Sequence, residues 1–311
     1  MSSTPDSDPQ PEMPSAPAGS AVEARSADAV REARRARVNN RAGRNLGAAI
    51  SVGVGLGLLI VVSLFTRRET FLPVVMVAVA IGMWEIASAV RHQHVRVPLV
   101  PTLAGGLALL PIAFVGGPRS LTLAFALVCL AIIVWRALDG GVHALRDVSG
   151  GVLTVAYVPL LAAFCMMMLA PPDGHWRVFI FILVTVCSDI GGYVAGVLFG
   201  KHPMAPSVSP KKSWEGFAGS ALTCMVAGSL SVHFILHADW WIGALLGVAS
   251  AATATVGDFC ESVIKRDIGI KDMGHVLPGH GGIMDRLDSL LMVAPMAWVV
   301  LSYLLPGSAP G

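Results

Sequence analysis

The sequence predicts an all-α, polytopic integral membrane protein of about nine transmembrane helices. Three observations carry that reading. Of 311 residues, 54% are hydrophobic and only 14% charged, and the mean hydropathy is +0.69. A soluble domain carries roughly a quarter charged residues, so this chain lacks the polar surface to cover a water-facing fold. The apolar residues fall into stretches near the ~20 residues that cross a hydrocarbon core. Lys and Arg are also distributed very unevenly between alternate connections.

The stretches run over about 46–65, 71–90, 99–115, 120–138, 148–170, 176–199, 213–236, 240–264 and 283–305. The third is short, with Pro98 just before it and Pro101 and Pro111 inside it. With the N-terminus placed in the cytosol, the connections on that side hold 17 Lys and Arg. The far side holds four: Arg67, Arg68, Arg119 and Arg177. That bias sets orientation and supports nine crossings, with the C-terminus outside. No internal repeat is evident, which argues against inverted-repeat transporters.

Residues 1–45 are read as a disordered, basic cytosolic extension, rich in Pro and Ser and then in arginines, without a secretory signal. Its basic run suits either an orientation signal or contact with anionic headgroups. A transmembrane catalytic domain is assigned to 46–306. The net charge of +2 gives no reason to expect nucleic acid as a partner. The five cysteines are scattered and read as small buried hydrophobes rather than a disulfide or zinc framework. The Met166–Met168 run reads as packing.

Two polar connections on the cytosolic side invite a chemical reading. They are "GKHPMAPSVSPKKSWEG" (200–216) and "KRDIGIKDMGHVLPGHGG" (265–282). Both combine lysines with Gly and Pro, which suits loops that bring N–H groups and ammonium charges to an anion. Acids stand at the adjoining span ends: Asp189 in "CSDIGGY", Asp258 and Glu261 in "VGDFCESVIKR", and Asp285 and Asp288 in "MDRLD". On a continuous helix Asp258, Glu261 or Ser262, and Lys265 share a face, and so do Asp285 and Asp288. Ionised groups at membrane depth are costly and mark polar cavities. Hard carboxylate oxygens facing lysine-rich loops suit Mg²⁺ shared with the phosphates of a nucleoside triphosphate. Duller accounts exist. Asp285 would suit any helix N-terminus, Asp258 could pair with Lys265 or Arg266, and Lys211 and Lys212 could be topology determinants. His202, His275 and His280 lack metal-ligand spacing. Glu85 is an interior acid without an assigned role.

Residues 262–288, "SVIKRDIGIKDMGHVLPGHGGIMDRLD", resemble the signature of the phosphatidate cytidylyltransferases, or CDP-diacylglycerol synthases. The signature has Ser, Lys-Arg, Lys-Asp, Pro-Gly-His-Gly-Gly and Asp-Arg-x-Asp at matching spacing. A second block appears as Ser188, Asp189, Tyr193, Gly196 and "SPKKSWEG". The blocks cover 188–216 and 257–289. The resemblance implies that CTP and phosphatidic acid give CDP-diacylglycerol and pyrophosphate at the cytosolic face of the cell membrane. It implies Mg²⁺, with a second cation left open, and Asp258 and Asp285 as the metal-binding pair. Asp189 and Asp288 are candidates to complete that shell.

Asp258, Asp285, Lys265 and Arg286 are the expected catalytic residues, with Arg286 on the phosphatidate phosphate. Ser209, Lys211, Lys212, Arg266, Lys271, His280, Gly281 and Gly282 are expected to bind substrate phosphates. Expected partners are CTP, phosphatidic acid and membrane lipids, no nucleic acid, and a second copy of the chain as a candidate. Two rivals are a CTP-dependent kinase of a lipid alcohol, which would release CDP, and a transporter. The transporter predicts acids spread through the bilayer rather than gathered at one side.

Overall fold

A computed structural model describes residues 46–140, 142–205, 209–270, 272–274 and 282–305. The N-terminal extension, Lys271 and the segment 275–281 lie outside them. Helices dominate, in the order α1 (Leu46–Thr66), α2 (Arg68–Arg91), α3 (Leu99–Asp139), α4 (Ala144–Tyr157), α5 (Pro159–Leu169) and α6 (Gly174–Phe199). A short hairpin, β1 (Pro203–Ala205) and β2 (Ser209–Ser213), is followed by α7 (Trp214–Ile235), α8 (Trp240–Ile268) and α9 (Met284–Tyr303).

Among the described residues, six helical segments are long and apolar enough to cross a membrane: Arg68–Arg91, Leu99–Asp139, Ala144–Leu169, Gly174–Phe199, Trp214–Ile235 and Trp240–Ile268. They leave large apolar side chains exposed, such as Leu123, Leu127 and Leu130 at 63%, 57% and 54% on α3. That surface suits lipid and not water. The protein is therefore a helical, multi-pass membrane protein.

Unbent, the 41 residues of α3 would reach roughly 60 Å, twice a hydrocarbon core. Gly117 reverses the chain instead, with φ +64 and ψ −160, a conformation natural only to glycine. Pro118 follows it and starts the second arm. The arms then pack side by side, and a Cβ added at Gly105 would lie 2.7 Å from the Val128 side chain. Between α4 and α5 the break falls at Val158, because Pro159 occupies the first turn of α5 and has no N–H to continue the ladder.

Helices α6, α7 and α8 pack through small residues. A Cβ at Gly228 would collide with the Gly243 carbonyl, and one at Gly247 with the Cys224 carbonyl. Such close approach is how helices associate where no water drives them together. Ser220 Oγ donates to the Ser188 carbonyl at 2.6 Å and Thr223 Oγ1 to that of Cys187 at 3.1 Å, stitching α7 to α6. Arg177, buried in α6, pairs with Asp173 at 2.9 Å and donates to the Leu301 carbonyl of α9 at 3.1 Å. Met166, Met167 and Met168 are buried in the core.

Candidate active site

The polar connection 200–216 is not structureless. Its β1–β2 hairpin pairs Pro203 with Ser213 and Ala205 with Ser209, a small departure from the all-helical expectation. Ser213 Oγ then accepts the Gly216 N–H at 3.1 Å and caps α7. Glu215 accepts the backbone N–H groups of Lys201 and His202 and meets His202 Nδ1 at 2.5 Å. The "SPKKSWEG" block is thus a strand, a cap and a clamp, and it aims Lys212 inward.

Lys212 reaches 46 positions along the chain to Asp258 Oδ2 on α8. The other oxygen of that carboxylate accepts from Ser289 Oγ of α9 at 2.7 Å. Asp258 therefore pairs with Lys212, and neither Lys265 nor Arg266 is its partner. A cleft of 230 Å³ opens here between α6, α7 and α8, lined among others by Ser188, Asp189, Tyr193, Lys212, Thr255 and Asp258. Gly192, Gly196 and Gly216 also line it. A Cβ at Gly192 would stand 2.5 Å from Ser220 Oγ and one at Gly216 3.1 Å from the Gly192 carbonyl, so these glycines let α6 and α7 approach.

One helical turn beyond Asp258 lies a second set of charges. Lys265 bridges α8 to α9, with its ammonium 2.8 Å from Glu261 Oε2 and 2.6 Å from Asp285 Oδ1. Asp285 also accepts the N–H groups of Gly282 at 2.7 Å and Met273 at 3.2 Å. Asp288 accepts the N–H of Ser289 at 2.7 Å and stands one turn after Asp285 on α9. Glu261 is buried, and its Oε1 has no donor. Gly257 lets the two helices approach, since a Cβ there would stand 3.1 Å from the Asp288 carbonyl.

Residues 47–304 match the cytidylyltransferase family. The chain belongs to that family. It is 41% identical over 278 residues to the phosphatidate cytidylyltransferase of Mycobacterium bovis, covering 85% of this chain and 91% of that one. The enzyme of the same name from Mycobacterium leprae is 40% identical over 280 residues, with 85% and 90% covered. That of Staphylococcus epidermidis is 33% identical over 178 residues, covering 56% of this chain and 68% of the relative.

In this cytidylyltransferase, the expected site residues do not all fall together. Asp189, Lys212 and Asp258 line the cleft, while Lys265 and Asp285 pair beside it, with Asp288 one turn further along α9. Arg266 is exposed, and Ser209 pairs with Ala205 at the start of β2, away from the cleft lining. Lys211 lies on β2, with its side chain outside what is described. Lys271, His280 and Gly281 also lie outside the described residues. Gly282 gives its N–H to Asp285, and its missing side chain makes room for a carboxylate, since a Cβ would stand 2.6 Å from Glu85 Oε2.

Arg286 stands at a second opening. It lines an apolar groove of 200 Å³ with Ile60, Phe71, Phe181, Leu287 and Leu290, and is the one charged lining residue among those described.

Glu85, Glu261 and Ser289 were absent from the expected site. Glu85, only 3% exposed on α2, accepts the N–H groups of Ile283 at 3.1 Å and Met284 at 2.8 Å. It thereby caps α9 from across the molecule. Its signal in the sequence was an acid inside an apolar stretch, but nothing there pointed to its partner.

Proposed function

We propose that this cytidylyltransferase moves the cytidylyl group of CTP onto phosphatidic acid, giving CDP-diacylglycerol and pyrophosphate for phospholipid synthesis. Two findings support the substrates: family membership, and relatives named for this reaction over most of their length. The observation that carries the mechanism is the pairing of Lys212 with Asp258 in the cleft and of Lys265 with Asp285 and Glu261 beside it.

A phosphate monoester loses its second proton near pH ~6, so phosphatidate arrives largely as a nucleophile. It needs no general base. One of its oxygens attacks the α-phosphorus of CTP in line, a P–O bond forms, and the bond to the β-phosphate breaks with its electron pair leaving on pyrophosphate. The obstacle is repulsion between two polyanions. Lys212 and Lys265 would offset that charge, with Lys211, Arg266 and Lys271 as further cations and Ser209, His280, Gly281 and Gly282 as further groups for the substrate phosphates.

Mg²⁺ suits the donors present, which are hard carboxylate oxygens and include a buried Glu261 Oε1 with no donor. Among the described residues no three acidic, His or Cys side chains form a complete metal cage. That fits an ion held by one or two carboxylates plus substrate phosphates. Asp258 and Asp285 are the proposed ligands, with Asp189 and Asp288 beside them and a second cation left open. When bound, the ion would supply charge neutralisation at the phosphate oxygens.

Arg286 is assigned to the phosphatidate phosphate, whose acyl chains would take the adjoining apolar groove. Counting the two arms of α3 separately, and adding α1 and α9, supports nine crossings. The distribution of Lys and Arg supports a cytosolic N-terminus and a cytosolic site in the plasma membrane. Asp258→Asn and Asp285→Asn tested in membranes with radiolabelled CTP should each lose roughly 10²-fold or more in turnover. Near-normal turnover in both would remove the proposed metal pair.

A further inference from the structure

A second polar cleft, of 960 Å³, lies apart from the catalytic one, among the end of α2, residues 94–98, both ends of α3 and the start of α4. Its acids are already engaged. Asp147 is buried against Arg136 at 2.8 Å and accepts the Arg96 N–H at 2.7 Å, while Asp139 lies 3.3 Å from Arg136. Arg91 and Arg96 form no ion pair with any described residue, and both line the cleft with His94 and His143. Arg91 rests over the Trp84 ring at 5.8 Å, which orients the guanidinium without neutralising it.

The rim of this cleft carries apolar groups. Val142 and Trp135 line it and are 78% and 47% exposed. Leu138, 83% exposed, is next to the lining Asp139 in the chain, and Leu145, 82% exposed, falls between the lining His143 and Asp147. Because α2 and α3 are candidate spans, their ends lie where a bilayer meets water. Cations backed by exposed Leu, Val and Trp at that depth match a phospholipid, with phosphate above and acyl boundary below. A free phosphate would use the arginines alone.

We propose that this cleft binds the phosphate of an acidic phospholipid headgroup, with Arg91 and Arg96 on the phosphate and the Trp135–Leu145 rim on the glycerol and upper acyl chains. The site is separate from the reaction centre but lies near it. Gln93 Nε2 donates to the carbonyls of Asp267 at 3.2 Å and Ile268 at 3.3 Å, at the end of the helix that carries Lys265. Arg146 in turn holds the Gln93 carbonyl.

The test titrates the purified full chain, in neutral detergent, with dihexanoyl phosphatidylglycerol, dihexanoyl phosphatidylcholine or sodium phosphate, read by thermophoresis. Saturable binding of phosphatidylglycerol is expected, weakened on the order of tenfold or more in Arg91→Gln/Arg96→Gln. Lys212→Ala, in the catalytic cleft, should leave that binding unchanged. Equal binding of phosphatidylcholine, equal binding of inorganic phosphate, or an undiminished double variant would each overturn the proposal. Should the double variant fail to fold, a photoactivatable phosphatidylglycerol on the wild-type chain decides. Adducts within 91–100 or 135–147 support the site, and adducts confined elsewhere refute it.

Discussion

Lys265 stands 2.8 Å from one carboxylate and 2.6 Å from another, and only 16% of its side chain is exposed. Removing one partner of such a buried cluster is more damaging than the cluster is stabilising, because the remaining charges are stranded. Lys265→Met should therefore lower the thermal midpoint of the purified protein and cut cytidylyl transfer by roughly 10²-fold. Transfer within about twofold of wild type would leave this ammonium without a catalytic role. The side-chain types at the site were legible in the sequence, since acids and lysines stand out sharply against an apolar background. Their partners were not. The sequence offers Asp258 a pairing with Lys265 or Arg266 along its own helix, but the packing of hairpin against bundle brings Lys212 to Asp258 instead.

Among the elements, α9 opens on a turn whose N–H groups need acceptors, and α2 supplies one through Glu85. Glu85→Gln keeps an acceptor oxygen but loses the charge, and should cost about 1–2 kcal/mol, read as a lower unfolding midpoint in detergent. An unchanged midpoint would mean that the cap contributes nothing. Gly117 makes a similar case. Gly117→Ala forces a side chain into the left-handed region and should cost about 1 kcal/mol, visible as reduced folded yield or thermal midpoint. Hydropathy located the helices well because length and greasiness suffice for that. It also put a break between its stretches 99–115 and 120–138, where the chain does fold back, but could not show that the reversal rests on the φ of Gly117. Nor could it show the 203–213 hairpin, whose Pro-rich strands lack the alternation that marks β structure.

Across the whole molecule, charge divides the chain into an acidic and lysine-rich end of the bundle and an apolar body. Chelating divalent cations from membranes should abolish transfer, and restoring Mg²⁺ should recover it. Full activity after exhaustive chelation would remove the metal from the account. Cysteines placed singly at Arg67 or Arg119 should react with an impermeant thiol reagent applied outside intact cells, whereas one at Lys201 should not. The reverse pattern would invert the orientation inferred from the 17 and four basic residues on the two sides.

The most direct test follows the two ends of the nucleotide. Purified protein given phosphatidic acid and CTP labelled at either the α- or the γ-phosphorus should place α-label in the lipid product and γ-label in pyrophosphate. Label from the γ-position in the lipid, with CDP released, would contradict cytidylyl transfer.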